Sequence, residues 1–346
     1  MLGFRDLAIT GLFSFVLVLI MGPIVLPALH RFKFGQTVRD DGPQSHLKKN
    51  GTPTMGGVMI IAAILLVTLI RAGVSRDILM ALLCMFGFGL VGFFDDIVKI
   101  KMTRSLGLTP IQKIIIQVVL AFVLALYRYW TIGTGDQFII PFIQVGINIG
   151  IFYIPLMLIV IIGTVNAVNL TDGLDGLASG ITAIVSAFFV VFALIIAHNF
   201  GISQMAAATL GACIGFLWFN VNPARVFMGD TGSMALGGAV TAFALFTNSV
   251  LIIPIVGGIY FAEALSVMIQ VMYFKKTRKR IFKMAPLLKG AGLFIIPLLY
   301  TGGIHMDGFM DVLDAKASHQ DRRFKLAVLK DSHVGSGAVI GAIMFS

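Results

Sequence analysis

Five aspartates interrupt a chain otherwise dominated by apolar runs. Asp95 and Asp96 stand in "GFFDDIVK", Asp172 and Asp175 in "NLTDGLDGLA", and Asp230 in "VFMGDTGS". Adjacent carboxylates repel unless a cation sits between them or one holds a proton. Carboxylate oxygens with open positions for phosphate suit Mg2+. Mg2+ held in this way bridges phosphate oxygens and neutralises charge in phosphoryl transfer. The glycines beside Asp172, Asp175 and Asp230 also free backbone N–H groups to meet phosphate. Each motif has a plainer reading. An Asp pair can be a solvated helix end, Asp172 can cap the following helix, and "GDTG" is a common turn. What distinguishes function from accident is whether all five acids share one face.

The elements that must position them are membrane helices. The chain has 346 residues, of which 58% are hydrophobic and 12% charged. Its mean hydropathy is +0.96. A soluble domain carries about 25% charged residues, and a spanning helix needs ~20 mostly apolar ones. Apolar runs fall at about 8–29, 55–71, 78–94, 113–132, 148–165, 177–197, 204–221, 233–248, 250–273 and 290–304, with a short break near Asn248. The expected fold is therefore all-α and polytopic, with about ten transmembrane helices. The first run is too long for a signal-peptide core and has no small-residue cleavage site, so it reads as the first span.

Basic residues are concentrated in alternate breaks. The first holds Arg31, Lys33, Arg39, Lys48 and Lys49; the third holds Lys99, Lys101, Arg104 and Lys113; the ninth, "KKTRKRIFK", holds six Lys/Arg. Arg71 and Arg76 interrupt an otherwise sparse even series. The positive-inside rule places the odd breaks in the cytoplasm. Asp95, Asp96, Asp172, Asp175 and Asp230 then all face that side, and ionisable groups at such depth are functional candidates. This joint placement favours a metal-dependent site for a phosphorylated substrate. A cation transporter and a structural polar face stay open on these residues alone. The net charge of +10 reads as cytoplasmic loops near anionic lipid rather than a nucleic-acid surface. Cys84 and Cys213 lie in apolar runs without metal-type spacing. His30, His46 and His198 are scattered and read as interfacial residues.

At this point the motifs acquire a resemblance. "DDGPQSHLKKNGTPTMGG", "GFFDDIVK", "NAVNLTDGLDGLA", "GFLWFN", "ARVFMGDTGSMALGG" and "RIFKMAPL" resemble the bacterial phospho-N-acetylmuramoyl-pentapeptide transferases over residues 1–287. The wider polyprenyl-phosphate sugar-1-phosphate transferases share the Asp pair and the "GD" turn. The resemblance implies a ten-helix, usually dimeric enzyme of the bacterial cytoplasmic membrane with a cytoplasmic active site and Mg2+. It would move phospho-MurNAc-pentapeptide from UDP-MurNAc-pentapeptide to undecaprenyl phosphate, giving lipid I and UMP. By motif, Asp95 and Asp96 would be the catalytic acid pair, one of them a base, and Asp230 would hold Mg2+ with support from Asn166. Asn169, Asp172, Gly173, Leu174, Asp175 and Phe227 would line the uridine pocket. Lys49, Thr54 and Lys113 would lie near the nucleotide sugar or its phosphates, Lys113 in a catalytic role.

The resemblance stops after "MAPL". The family continues with a run of histidines, whereas this chain reads "MAPLLKGAGLFIIPLLYTGG". Residues 288–346 form a divergent tail with one candidate span. Within it, "GGIHMDGFMDVLDA" and "LKDSHVG" resemble part of the cobalamin synthases (adenosylcobinamide-GDP ribazoletransferases). His305, Asp307, Asp311 and Asp314 would then belong to an acidic metal motif. Two alternatives to the transferase follow: a nucleotide-sugar-binding protein impaired in turnover, and a cobalamin-synthase-like transferase.

Overall fold

The computed structural model describes residues 2–31, 52–102, 107–132, 138–140, 145–147 and 149–277. Lys49, the 290–304 run and the tail motif around His305 lie outside the described residues. The helices are α1 (Leu2–Arg31), α2 (Gly57–Ala72), α3 (Arg76–Lys101), α4 (Pro110–Ile132), α5 (Tyr153–Thr171), α6 (Leu177–Ile195), α7 (Phe200–Asn220), α8 (Gly229–Phe246) and α9 (Gly258–Thr277), with a short helical segment Val250–Val256 before the last. Two compact units are delimited, Met1–Ala264 and Leu265–Ser346. Of the second, only the end of α9 is described.

Six of these helices are long and apolar enough to cross a membrane, and a seventh span results if Val250–Val256 and α9, bent by 76°, count as one. The protein is a multi-pass membrane protein, but ten spans are not reached among the described residues. Two of the expected spans differ for a physical reason. At a rise of about 1.5 Å per residue, α2 is roughly 24 Å long, short of a ~30 Å hydrocarbon layer, and α8 opens with the polar stretch GDTGS. Every residue of α8 from Thr231 to Phe246 is buried, so its surroundings are protein rather than lipid. Its glycines and alanines allow close packing, the usual role of small residues between membrane helices. The chain is also not purely helical: Phe138–Ile140 and Val145–Ile147 pair antiparallel as a small hairpin, β1 and β2.

Helix α8 forms the centre, packing most extensively against α3 and α5 and also against α2. A second set joins α7 to α1, α6 and α2. The close α8 contacts depend on absent side chains. A Cβ on Gly57 would lie 2.1 Å from the Gly232 Cα, and one on Gly92 would lie 2.0 Å from the Asp230 carbonyl oxygen. Local signals fix where the helices begin. Ser75 caps α3 by accepting from Ile78 N–H at 3.2 Å, with Asp77 in the first turn and Lys99 and Lys101 in the last. Those charges complement the helix dipole at both ends. Asn199 caps α7 in the same way, accepting from Ile202 N–H at 3.1 Å.

Candidate active site

The C-terminal turn of α3, the first turns of α4 and α8 and the last turn of α5 meet at one end of the bundle. Carboxylate oxygens of Asp95, Asp96 and Asp230 come within 4.8 Å of one another there. Asp95 and Asp96 are 3% exposed, while the Asp230 side chain retains 21% exposure. The triad is thus largely buried, with Asp230 its partly exposed member.

Each carboxylate has a different set of partners. Asp96 is held by α8: it accepts from Asp230 N–H at 3.2 Å, Thr231 N–H at 2.9 Å and Thr231 Oγ1 at 2.7 Å. The two backbone donors are free N–H groups of a helix start, where negative charge is favoured. The left-handed Gly229 (φ +74°) makes this approach possible; a Cβ there would lie 2.7 Å from Asp96 Oδ2 and 2.9 Å from Thr54 Oγ1. Asp95 accepts from Leu108 N–H at 3.0 Å, and Gly107 packs so closely on its carboxylate that a Cβ would fall 2.6 Å from Oδ1. Asp230 accepts from Asn169 Nδ2 at 3.1 Å, and the same amide donates to Ser233 Oγ at 2.8 Å.

Two ammonium groups complete the cluster. Lys99 Nζ lies 2.6 Å from Asp95 Oδ2, 3.0 Å from Asp230 Oδ2 and 3.8 Å from Asp96 Oδ1. Lys113 Nζ lies 2.8 Å from Asp230 Oδ2 and 4.0 Å from Asp95 Oδ2. Among the described residues here the acids still exceed the bases. Asp172 lies just past the end of α5; burial first, then the charges of Asp230, Asp96 and Asp175, hold its carboxyl well above the usual carboxylate range.

Thr54, Phe227, Asp172, Gly173, Leu174 and Asp175 lie in loops next to the triad. Residues 53–57 run alongside 227–228: Phe227 N–H donates to Pro53 C=O at 2.8 Å, Gly56 N–H to Phe227 C=O at 2.9 Å and Gly57 N–H to Met228 C=O at 3.0 Å. Thr54 is buried beside Gly229 at this junction. Asp172, Gly173, Leu174 and Asp175 form the turn from α5 to α6, in which Leu177 N–H donates to Leu174 C=O at 3.1 Å. Asn220 ties this turn to the loop after α7, accepting from Gly176 N–H at 2.9 Å and donating to Val226 C=O at 2.8 Å. Asn166 points elsewhere. One turn before Asn169, its amide donates to Gln117 Oε1 at 2.7 Å and to Ile162 C=O at 2.8 Å.

Lys99, Thr231, Ser233 and Asn220 were not among the residues expected from sequence to form the site. Only Lys99 carried a readable signal, standing four residues after Asp95 on one helix face. The others act through contacts between segments far apart in the chain.

Comparison with known proteins agrees with this geometry. Residues 78–248 match the family model "Glycosyl transferase family 4", and residues 49–61 match "Phospho-N-acetylmuramoyl-pentapeptide-transferase signature 1". Residues 239–346 match "Cobalamin-5-phosphate synthase". The chain is 63% identical over 287 residues to the phospho-N-acetylmuramoyl-pentapeptide-transferase of Clostridioides difficile (strain 630), covering 83% of this chain and 89% of that protein. It is 49% identical over 274 residues to the protein of the same name from Thermoanaerobacter sp. (strain X514), covering 79% and 86%. Against that of Desulfitobacterium hafniense (strain DSM 10664 / DCB-2) it is 46% identical over 286 residues, covering 79% and 85%.

Proposed function

Because the chain belongs to the phospho-N-acetylmuramoyl-pentapeptide transferase family, we propose that it transfers phospho-MurNAc-pentapeptide from UDP-MurNAc-pentapeptide to undecaprenyl phosphate. A phosphate oxygen of the lipid attacks the sugar-bearing phosphorus of the diphosphate. The bond from that phosphorus to UMP breaks, and lipid I and UMP result. The observation that carries the reading is the convergence of Asp95, Asp96 and Asp230 at one end of a membrane bundle.

The donor set fits a divalent cation. It consists of hard carboxylate oxygens from two helices, one of the carboxylates partly exposed, with more acids than bases among the described residues around it. Asp95, Asp96 and Asp230 would hold Mg2+, with Asn169 orienting Asp230. When bound, the ion supplies positive charge to the diphosphate oxygens. The chain's own residues do the rest. Asp96, fixed by three donors, is an orienting group. Asp95 accepts one backbone bond and Lys99, which leaves it the better placed to take a proton from a protonated lipid phosphate. Lys113 would bring charge to the nucleotide phosphates, as would Lys49. The turn of Asp172, Gly173, Leu174 and Asp175, with Phe227 and Thr54, would receive the uridine and sugar.

We place the site on the cytoplasmic face of the bacterial inner membrane, in a homodimer, with residues 1–287 as the transferase-like domain and 288–346 as a separate tail. The absence of the family's histidine run after Pro286 supports one competing reading, in which the chain binds nucleotide sugar without turnover. UMP release from UDP-MurNAc-pentapeptide by the full chain in detergent, with undecaprenyl phosphate and with or without Mg2+, decides between them. Mg2+-dependent release is expected. Binding of the nucleotide sugar without release would establish the competing reading.

A further inference from the structure

Lys99 stands apart from the other basic groups of the site. Its Nζ touches Asp95 Oδ2 at 2.6 Å and Asp230 Oδ2 at 3.0 Å, with Asp96 Oδ1 at 3.8 Å. It therefore sits among the same three carboxylates that would hold a divalent ion. An ion bound by carboxylate oxygens at about 2.1 Å excludes an ammonium from between those oxygens. Lys113 approaches Asp230 closely but stays 4.0 Å from Asp95, so it flanks the triad. The Lys99 side chain is 31% exposed and reaches the site on a flexible four-carbon stem.

We propose that Lys99 is a displaceable internal cation, which neutralises the triad when no divalent ion is bound and swings to the diphosphate of the nucleotide when one enters. The inference rests on the reading above that the triad holds such an ion. Its physical basis is charge. Three acids so close together repel, and an ammonium on the same helix, three and four residues on, offsets that repulsion at no cost in assembly. Once an ion replaces it, the ammonium is left beside the site without its carboxylate partners. The two phosphates of a bound nucleotide would offer it a new anionic partner. Ion and diphosphate then favour each other's binding through Lys99, a reciprocal coupling. Lys99 is in this sense a positioning residue whose partner changes with the state of the site.

The test uses the full chain in detergent, with Mn2+ as the ion and UDP as the diphosphate. Acetylation of lysines by an amine-reactive ester, followed by mass spectrometry, reads the exposure of Lys99 in the unaltered protein. Mn2+ is expected to raise Lys99 labelling and leave the exposed Lys101 unchanged. In Lys99→Gln, Mn2+ affinity is expected to rise roughly tenfold, a typical size for such coupling. UDP affinity in that variant is expected to fall only when Mn2+ is present. A fixed structural lysine would behave otherwise. Unchanged Lys99 labelling in a protein that binds Mn2+ overturns the inference, as does an equal loss of UDP affinity with and without the ion. If the unaltered protein binds no Mn2+, the metal reading itself fails and takes this one with it. If Lys99→Gln does not fold, the labelling result decides alone.

Discussion

Replacing Gly92 by alanine tests the helix packing on which the site depends. The new methyl group would fall 2.0 Å from the Asp230 carbonyl oxygen, 2.3 Å from its carbonyl carbon and 2.7 Å from Thr231 N. Non-bonded heavy atoms settle at about 3.5 Å or more, so α3 and α8 must separate by roughly 1 Å or slide. The obstacle is backbone, which no rotamer change relieves. Overpacking of this kind costs about 1–3 kcal/mol, and at about 1–2 °C per kcal/mol for a chain of this size the unfolding midpoint should fall by roughly 1–5 °C. The same movement carries Thr231 and Asp230 away from Asp96, breaking contacts of 2.9 and 3.2 Å. A displacement near 1 Å at a reacting centre can lower a rate by about a hundredfold. Gly163 is the control: it is exposed in mid-α5, and a Cβ there meets nothing within 4 Å. Thermal unfolding in detergent and UMP release should be measured on both variants. Gly163→Ala should match the parent in both. A Gly92→Ala protein with the parent's midpoint and rate would refute the close α3–α8 contact and the account of how it aligns the acids.

Other expectations follow from the same contacts. Asp95→Asn, Asp96→Asn and Asp230→Asn should each lower Mg2+-dependent UMP release by about a hundredfold or more while leaving the unfolding midpoint measurable; near-parent turnover in all three would remove the metal site. Asn220→Ala frees the Gly176 N–H and Val226 C=O, an expected loss of about 1–3 kcal/mol, and should raise KM for the nucleotide substrate more than it lowers kcat. A cysteine at Gly173 should be labelled by a membrane-impermeant thiol reagent from the cytoplasmic side and one at Val74 from the other, against the low background of buried Cys84 and Cys213; the reverse pattern would overturn the orientation. Deleting 305–346 should leave Mg2+-dependent UMP release unchanged, and inserting a histidine-bearing loop after Pro286 should raise it.

The sequence was most informative where chemistry and hydropathy coincide. Asp95, Asp96 and Asp230 could be placed at one end of the bundle because charges stand out in apolar runs and the basic breaks alternate. The break near Asn248 was legible for the same reason: Thr247 ends α8 and Asn248 takes a positive φ of 53°. What depends on contacts between distant segments was not legible. No local pattern distinguishes Asn169, whose amide joins Asp230 to Ser233, from Asn166, whose amide joins Gln117. The burial of α8 was hidden because hydropathy reports apolar character and not whether lipid or protein surrounds a helix. The hairpin at 138–147 was missed because two three-residue strands leave too short a pattern beside long apolar helices.

The buried position of α8 also has a consequence for how the protein is made. Asp96 and Thr231 are 135 positions apart in the chain, and synthesis runs from the N-terminus. Helices α1 to α7 therefore leave the ribosome before the helix around which α2, α3 and α5 pack. Those three can enter the membrane early, but they can close on one another only by leaving a slot for a latecomer. Until it arrives, the acidic pair of α3 has its counter-ion on its own helix, Lys99 one turn further on. A nascent chain halted before Gly229 would hold a loosely assembled bundle with half a site. Arrival of the glycine-rich α8 would then act as the closing step of both folding and active-site assembly.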